Sequence, residues 1–539
     1  MTASTFEKYP PVESDAQRRE SRPARAVLIA VAGALLIAGL TTLVVLTRAG
    51  GLNTDPANWL VQWELRSSDN GVLFQVMQDV VARRPLDWSF SPQVFVFPEL
   101  PISAAAFGLA GGSVYGYYVI VAILNNVLLF VVLWGLVRVF FPASPATAST
   151  VRALVAMTPL LVLPLIGTSW IFSFHLAPTY YFGEYLALLA APILLLAPTR
   201  RVRIAVGIVL ALTLASNPLT AVFAFVGVAA VVVLRLVRTG WRATLPSALW
   251  IGGVLVVALT VRLAFFGGLQ GTSPFTYVNP EVFARRLSEI GPYYAYQARD
   301  PAAHVVLVIG VVLAVVALLG AVAASVRYLQ RRRPADSRLL AGVYLGLVPL
   351  GGLAATAALM ITHYLYFWPL LVLPLILTML AVPRVALPSF AAAGGATLVA
   401  VALATGVTTN LAHLDGYVGY RNAETRCLDG LPGAPTLGYA TFSDARRLSL
   451  TSERGVRLIQ LNTDANPNLW LTNRSYARTE AGTFFYINDR GDELPIDMQP
   501  IVDAAGVPDE LVDCGDGQRV LLYTDPAKKA AIATFYGLP

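Results

Sequence analysis

The sequence predicts a polytopic α-helical membrane protein with about eleven transmembrane helices and a C-terminal extracytoplasmic α/β domain. Apolar residues make up 56% of the 539 residues and charged residues only 13%, whereas about a quarter of an ordinary soluble domain is charged. The apolar residues are gathered into runs long enough to cross a bilayer, and a long polar segment follows the last run. This pattern excludes a disordered chain and a single water-soluble globule.

The apolar runs set the predicted number of spans. The first run, at 26–47, is too long for the apolar core of a signal peptide and has no convincing cleavage site, so we interpret it as a retained helix. The further predicted spans are 115–141, 151–172, 177–197, 202–215, 217–236, 246–266, 303–326, 338–361, 364–382 and 387–408. The fifth run is short and continues into Asn217-Pro218, so the fifth and sixth runs form either two crossings or one broken pair.

Basic residues in the short loops predict the orientation, because short cytoplasmic loops are enriched in Lys and Arg. Compact arginine clusters lie at 200–203, 235–242 and 331–333. Placing them inside makes the polar tail 1–24 cytoplasmic, and it puts the loops 48–114 and 267–302 outside. The Ala-, Val-, Leu- and Arg-rich, Lys-poor composition is compatible with a bacterial plasma membrane. The net charge of +7 is small for this length, so we expect a lipid bilayer and no nucleic acid as partner.

Residues 25–408 therefore form the predicted transmembrane domain, and residues 409–539 form a separate soluble domain. Short strand-like runs at 456–461, 483–487 and 520–523, with helical patterns at 443–450 and 501–505, predict an α/β fold. The only cysteines, Cys427 and Cys514, both lie in this domain. An odd number of spans places them in an oxidising compartment, where we expect a disulfide. The alternative is two free buried thiols.

The first outer loop contains an amphipathic helix. Apolar residues recur at helical spacing from Val72 to Val81, and Gln75, Gln78 and Asp79 lie largely on the opposite, polar face. Ser67, Ser68 or Asp69 would cap the helix. The segment is too short and too polar to span, so we expect it to lie in the membrane interface. Asp69 is either only an N-cap or a functional acid at the membrane surface.

The order of motifs resembles the GT-C superfamily of integral membrane glycosyltransferases. The nearest branch uses polyprenyl-phosphate sugars and includes protein O-mannosyltransferase-like and aminoarabinose transferase-like enzymes. In that family an acidic pair opens an interfacial helix, a Trp-containing turn follows, and a proline-rich segment leads into the next apolar element. The matching positions are Asp69-Asn70, the helix at 73–84, Leu86-Asp87-Trp88 and Pro98-Glu99-Leu100-Pro101.

Two later segments extend the resemblance, which covers roughly residues 25–240 in motifs and the whole chain in layout. Residues 170–189 resemble the family's second outer-loop region, with Glu184 as the acid and His175 just upstream. Ala215-Ser216-Asn217-Pro218 resembles a short break between helices. Three positions depart from the family pattern: Asn70 replaces the second acid, and Glu99 and Asn217 stand where lysines are common.

The resemblance implies transfer of a sugar from a polyprenyl-phosphate donor to an extracytoplasmic acceptor hydroxyl on a glycan, lipid or protein. Asp69 is the candidate catalytic base. The leaving phosphate needs positive or hydrogen-bonding groups, and the candidates for donor and phosphate binding are His175, Glu184, Arg262, Arg285, Arg286 and His363. No organic cofactor is implied, and Asn70 leaves a divalent cation requirement open.

A purely structural role is the alternative for several of these residues. Arg262 could extend to the interface, and His175 and His363 could only anchor helix ends. Trp470, Tyr476 and Tyr486 of the tail domain hold the acceptor or only brace the outer loops. Two other functions also stay open: a non-catalytic protein that binds a lipid-linked glycan or scaffolds a complex, and a lipid or glycan transporter, although no internal repeat favours the latter.

Overall fold

The chain is a mostly helical membrane protein with a small sheet near its C-terminus. The computed structural model describes residues 23–50, 69–166, 173–179, 181–196, 199–269, 279–281, 283–284, 288, 301–330, 337–360, 364–381, 423–489 and 494–538. Within these ranges, six helical segments are long and apolar enough to cross a membrane: Ala24–Thr47, Val114–Phe140, Ala146–Leu165, Leu219–Leu269, His304–Gln330 and Arg338–Leu359.

The helices that precede the sheet region are numbered in chain order. They are α1 Pro23–Gly50, α2 Val72–Val81, α3 Glu99–Leu109, α4 Val114–Phe140, α5 Ala146–Ile166, α6 Phe182–Leu196, α7 Arg200–Ser216, α8 Leu219–Val261, α9 Pro301–Gln330, α10 Ser337–Leu347, α11 Gly351–Leu359, α12 Trp368–Leu371 and α13 Leu373–Ala381.

The predicted count of eleven spans is not confirmed. The predicted spans at 177–197 and 202–215 correspond to α6 and α7, which have 15 and 17 residues, whereas a perpendicular crossing needs about 20. The predicted span at 364–382 is divided between α12 and α13. The predicted span at 387–408 lies outside the described residues.

The chain reverses direction within α8. Gly240 has φ 75° and ψ 173°, which interrupts the helical backbone and is readily adopted only by glycine. Arg235 Nη1 donates a hydrogen bond to Ser247 Oγ, 12 residues further along. In a straight helix these residues would lie about 18 Å apart, beyond the reach of an arginine side chain. The two halves of α8 therefore form a helical hairpin, as the separate predicted spans 217–236 and 246–266 require.

Aromatic packing fixes α6 inside the helical bundle. The ring of Tyr185 stacks on Trp368 of α12, with 3.8 Å between ring centroids, and Phe223 of α8 packs edge-on against the same indole. All three side chains are buried. This contact among three helices holds the start of α6 against α8, where the polar residues described below meet.

The sheet region folds into a mixed five-stranded sheet flanked by helices. Its elements are α14 Ala423–Asp429, β2 Leu437–Thr441, α15 Phe442–Thr451, β3 Arg457–Leu461, β4 Thr472–Asn473, α16 Tyr476–Thr479, β5 Phe484–Asn488, α17 Gln499–Ala505, β6 Glu510–Gly515, β7 Gln518–Leu522 and α18 Pro526–Phe535. The strand order is β3-β2-β5-β7-β6. Strand β2 pairs in parallel with β3 and β5, and β7 pairs antiparallel with β5 and β6.

The predicted elements of this region are confirmed to within a few residues. The expected strands coincide with β3, β5 and β7, and the expected helices coincide with α15 and α17. The predicted disulfide is present between Cys427 of α14 and Cys514 of β6, with Cα atoms 5.6 Å apart. It joins a helix to the edge strand of the sheet across 87 residues of chain.

The segment 69–113, between α1 and α4, is joined to the sheet region. A two-residue strand, β1 Trp88–Ser89, pairs antiparallel with β4, so that Trp88 faces Asn473 and Ser89 faces Thr472. The backbone amide of Arg474 donates to the carbonyl oxygen of Asp87. Chain segments almost 400 residues apart therefore share one small ladder.

Two sequence expectations for α2 are wrong. The residue before the helix is Gly71, and no side chain caps it. A side chain would not fit there, because a Cβ atom on Gly71 would collide with Leu450 and lie 2.9 Å from Cδ of Arg446. The expected solvent-facing side is also covered: Gln75 and Asp79 are buried, whereas Val81 is exposed.

Candidate functional site

Asp69 lies where the segment that leads into α2 meets the segment before α6. The residue is half-buried just before α2. The hydroxyl of Thr179 lies 3.1 Å from the backbone carbonyl oxygen of Asp69 and 3.3 Å from Oδ1 of Asn70. One buried threonine thus contacts both residues at the position of the family's acidic pair. Asn70 is fully buried, so it fixes this turn to the neighbouring segment.

Glu99 connects the start of α3 to the start of α6. The backbone amide of Gly183 donates to Oε1 of Glu99 at 3.0 Å. A Cβ atom on Gly183 would lie 2.8 Å from the same oxygen, so glycine permits this approach. Burial raises the pKa of Glu99 to about 7, and the Gly183 hydrogen bond lowers it only in part. The carboxyl group can therefore hold a proton near neutral pH.

Glu184 follows Gly183 and contacts the break between α7 and α8. Its side chain is fully buried, and Oε1 accepts a hydrogen bond from Nδ2 of Asn217. The side-chain oxygen of Asn217 accepts in turn from the backbone amide of Leu219 at 3.1 Å. Asn217 thereby occupies one free amide at the start of α8 while holding the carboxylate of α6.

Ser216 and Arg262 attach the proline-rich segment to the same break. Oγ of Ser216 accepts from the backbone amides of Val96 and Phe97, at 2.8 and 3.1 Å. The Arg262 guanidinium donates to the carbonyl oxygens of Ala215 and Pro92, at 2.9 Å each. Arg262 therefore does not simply extend to the interface, since it ties together two segments that flank the buried acids.

Four of the six segments on which the family resemblance rests thus meet in one connected cluster. They are 69–70, 96–99, 179–184 and 215–217, and hydrogen bonds join each of them to at least one of the others. We call this set the polar cluster. It lies at the ends of α2, α3, α6, α7 and α8, where backbone groups have no helical partner and polar side chains can replace them.

The structure places some of the other predicted residues and leaves the rest outside its described ranges. His175 is fully buried in the short 3₁₀ turn Phe174–Leu176, a few residues before Thr179. Arg285, Arg286 and His363 lie outside the described residues, so their assignment to the donor phosphate remains a prediction.

Sequence reasoning missed Thr179, Gly183 and Ser216 as members of the cluster, and it treated Glu99 only as a departure from the family pattern. They lie in segments that the resemblance covers, but the contacts that they make are not visible locally, because their partners are distant in the chain. The separations are 109 residues for Thr179 with Asn70, 84 for Gly183 with Glu99 and 120 for Ser216 with Val96. The one available signal was an acidic residue, Glu99, in an otherwise apolar stretch.

The acids of the described ranges do not gather as a metal site requires. Within these ranges, no three side chains of His, Cys, Asp or Glu come close enough together to hold a metal ion. Asp69 is followed by a buried amide, and Glu99 and Glu184 accept hydrogen bonds from nitrogen donors.

The cluster can perform proton chemistry at the ends of helices. Asp69 is a half-buried acid, and Glu99 and Glu184 are enclosed ones. A carboxylate can accept a proton from a hydroxyl group that is attacking an electrophile. The enclosed acids and amides hold the surrounding segments in a fixed geometry, which such a reaction needs.

Comparison of the chain with protein-family models, with curated proteins and with solved structures finds no match.

Proposed function

We propose that this protein is a membrane glycosyltransferase of the GT-C type. It transfers a sugar from a polyprenyl-phosphate donor to the hydroxyl group of an extracytoplasmic glycan, lipid or protein. Asp69 acts as the general base. The observation that carries the proposal is the convergence of four of the six resembling segments in the polar cluster, because unrelated motif matches would have no reason to meet in space.

The proposed reaction is an inverting displacement at the anomeric carbon. The acceptor oxygen forms a bond to that carbon while the bond to the donor phosphate breaks. Asp69 takes the proton of the acceptor hydroxyl, and the electron pair of the broken bond leaves with the polyprenyl phosphate. Hydrogen-bond donors and cations stabilise the negative charge that develops on this phosphate, and His175, Arg285, Arg286 and His363 are the proposed donors.

Within this proposal, hydrogen bonds explain two of the three departures from the family pattern, at Asn70 and Glu99. Asn70 accepts the Thr179 hydroxyl, so the second position of the pair holds a neighbouring segment. Glu99 accepts the Gly183 amide, a role that a lysine could not fill because an ammonium group has no acceptor. These positions then support the geometry around Asp69.

The proposed orientation places the N-terminus in the cytoplasm of a bacterium and the sheet region outside the plasma membrane, with eleven spans. Two observations support it. The disulfide between Cys427 and Cys514 suits an oxidising compartment. The turn at Gly240 is flanked by Arg235, Arg238 and Arg242, which suits a short cytoplasmic loop.

Sugar transfer by membranes that contain the wild-type or a variant protein tests the function. Radiolabelled polyprenyl-phosphate sugars serve as donors, and cell-envelope extract supplies the acceptors. We expect the wild type to transfer one sugar, and both Asp69→Asn and Asp69→Ala to lower kcat at least about a hundredfold, the usual contribution of a general base. Asp503→Asn is the matched control, because this exposed aspartate of α17 contacts only Gln499 among its described side-chain partners.

The outcomes separate the functions that the sequence leaves open. Equal transfer by Asp69→Asn and wild type, at equal protein levels, would remove Asp69 as the base. Binding of a donor lipid without transfer would favour the non-catalytic glycan-binding function. Movement of the labelled lipid across sealed vesicles without transfer would favour a transporter.

A further inference from the structure

We propose that Asp79 is a positioning residue through which the sheet region holds α2, and with it Asp69, in place. The carboxylate of Asp79 is fully buried in the third turn of α2. It accepts hydrogen bonds from four side chains, of which two belong to the segment 69–113 and two to the sheet region. They are Arg84, Trp88, Asn473 and Tyr476.

A buried carboxylate with this many donors is a strong anchor. The distances to the nitrogen donors are 3.1 Å for Arg84, 3.1 Å for Trp88 and 2.9 Å for Asn473. Each bond to an ionised group is stronger than a neutral one, and loss of one partner leaves a buried polar group unsatisfied. Burial, together with the adjacent carboxylate, raises the pKa of Tyr476, so its phenol stays protonated and donates.

A second contact brings the sheet region to the residues next to Asp69. Helix α15 packs on the backbone of Gly71, where Leu450 and Arg446 leave no room for a side chain. One turn further along α2, Nε of the buried Arg446 donates to Oε1 of Gln75 at 3.2 Å. The sheet region thus contacts α2 at three points: Gly71 just before the helix, Gln75 and Asp79. The first of these contacts lies two residues from Asp69.

These contacts assign a role to Tyr476 that the sequence left open. Tyr476 braces the outer loop through Asp79. The Arg474 side chain also contacts Asp87, at 2.9 Å from Nε to Oδ1. The carboxylate of Asp79 joins the two parts of the chain most directly. It is the one buried acid of α2, and it accepts hydrogen bonds both from the segment that follows α2 and from the sheet region.

The test compares Tyr476→Phe and Asn473→Ala with Tyr536→Phe in the full-length protein in nanodiscs. Tyr536 is the matched control, because its hydroxyl donates to Ala465 within the sheet region. The first readout is hydrogen–deuterium exchange of the amides in α2. We expect exchange there to rise about tenfold in the first two variants and to stay at the wild-type level in Tyr536→Phe. Exchange in β2, β5 and β7 should be unchanged in all three, which shows that the sheet stays folded.

The second readout rests on the proposed function and separates positioning from folding. We expect Tyr476→Phe to lower kcat for sugar transfer about tenfold with little change in donor KM, because a displaced base slows the chemical step. Wild-type protection of α2 in both Tyr476→Phe and Asn473→Ala would overturn the inference. Looser α2 with unchanged kcat would overturn the link to Asp69. If the wild type shows no transfer, the proposed function fails, and the exchange data still decide whether Asp79 holds α2.

Discussion

At the scale of single residues, Glu99 is a carboxyl group of the polar cluster whose pKa is determined mainly by its burial. Its carboxyl group is enclosed where α3 begins, with the Gly183 amide as its partner. Burial dominates over that hydrogen bond, so the pKa of Glu99 is raised to about 7. The folded protein therefore retains a proton at pH values where an unfolded chain, with a carboxyl pKa near 4.5, has released it.

This difference predicts a pH dependence of stability. The folded state gains most from Glu99 below pH 4.5 and loses that gain as the pH rises to about 7, by about 3 kcal/mol. Glu99→Gln keeps an acceptor for Gly183 and removes the titration. We expect the wild-type melting temperature in detergent to fall relative to Glu99→Gln between pH 5 and pH 7.5, as followed by tryptophan fluorescence.

The matched control for this effect is Glu480→Gln. Glu480 is 62% exposed beside Arg457, so the same chemical change there should leave the pH profile parallel to that of the wild type. Parallel profiles for Glu99→Gln and wild type would show that Glu99 is not enclosed.

At the scale of elements, the reversal at Gly240 determines how α8 crosses the membrane. The apolar segment Leu219–Leu269 has 51 residues, which as one straight helix would be about 77 Å long, against a hydrocarbon core of about 30 Å. The turn at Gly240 divides it into two lengths that each suit one crossing. It also returns the chain, so that Arg262 comes back to Ala215 at the start of the hairpin.

Cross-linking tests this hairpin directly. The double variant Arg235→Cys/Ser247→Cys should be joined by a short bifunctional thiol reagent, because the two residues are in contact across the turn. The control is Val119→Cys/Val131→Cys, whose positions are also 12 residues apart but lie in the uninterrupted helix α4. Mass spectrometry of the digested monomer identifies the product. Equal yields from the two pairs would contradict the reversal.

At the scale of the whole molecule, the described spans and the sheet region form one assembly in which two distant parts of the chain meet at α2. The composition predicted the membrane class, and short strand-like runs and helical patterns predicted β3, β5, β7, α15 and α17. The meeting at α2 was not predictable. In the sequence, Asp79 and Gln75 lie on the polar face of an amphipathic helix, which predicts that they contact solvent. The local pattern cannot show that Asn473 and Arg446 cover them.

The polar cluster was only partly predictable, because its contacts also join parts of the chain that are distant in sequence. Asp69, Glu184 and Asn217 were singled out because their order resembles a family. Thr179, Gly183 and Ser216 are small residues whose contribution depends on which distant backbone approaches them, and that information is absent from any short window of sequence. The short helices α6, α12 and α13 also departed from the predicted span lengths.

Orientation is a property of the whole molecule, and thiol labelling tests it. The two native cysteines are paired, so a single added cysteine provides the reactive thiol. We expect Asp503→Cys in the sheet region to react with a membrane-impermeant maleimide in intact cells. Thr239→Cys, at the exposed turn beside Gly240, should react only after permeabilisation. The opposite pattern would invert the proposed orientation.

The docking of α2 has a consequence for the timing of biogenesis. Asn473 is synthesised 394 residues after Asp79, which at about 5–20 residues per second corresponds to roughly 20–80 s of translation. During that interval Asp79 lacks its two donors from the sheet region, Asn473 and Tyr476, and α2 lacks the helix that packs on Gly71. The contacts that position the residues next to Asp69 are therefore complete only after the ribosome has delivered the sheet region. A prematurely terminated chain would expose the uncovered polar face of α2 to quality-control proteases.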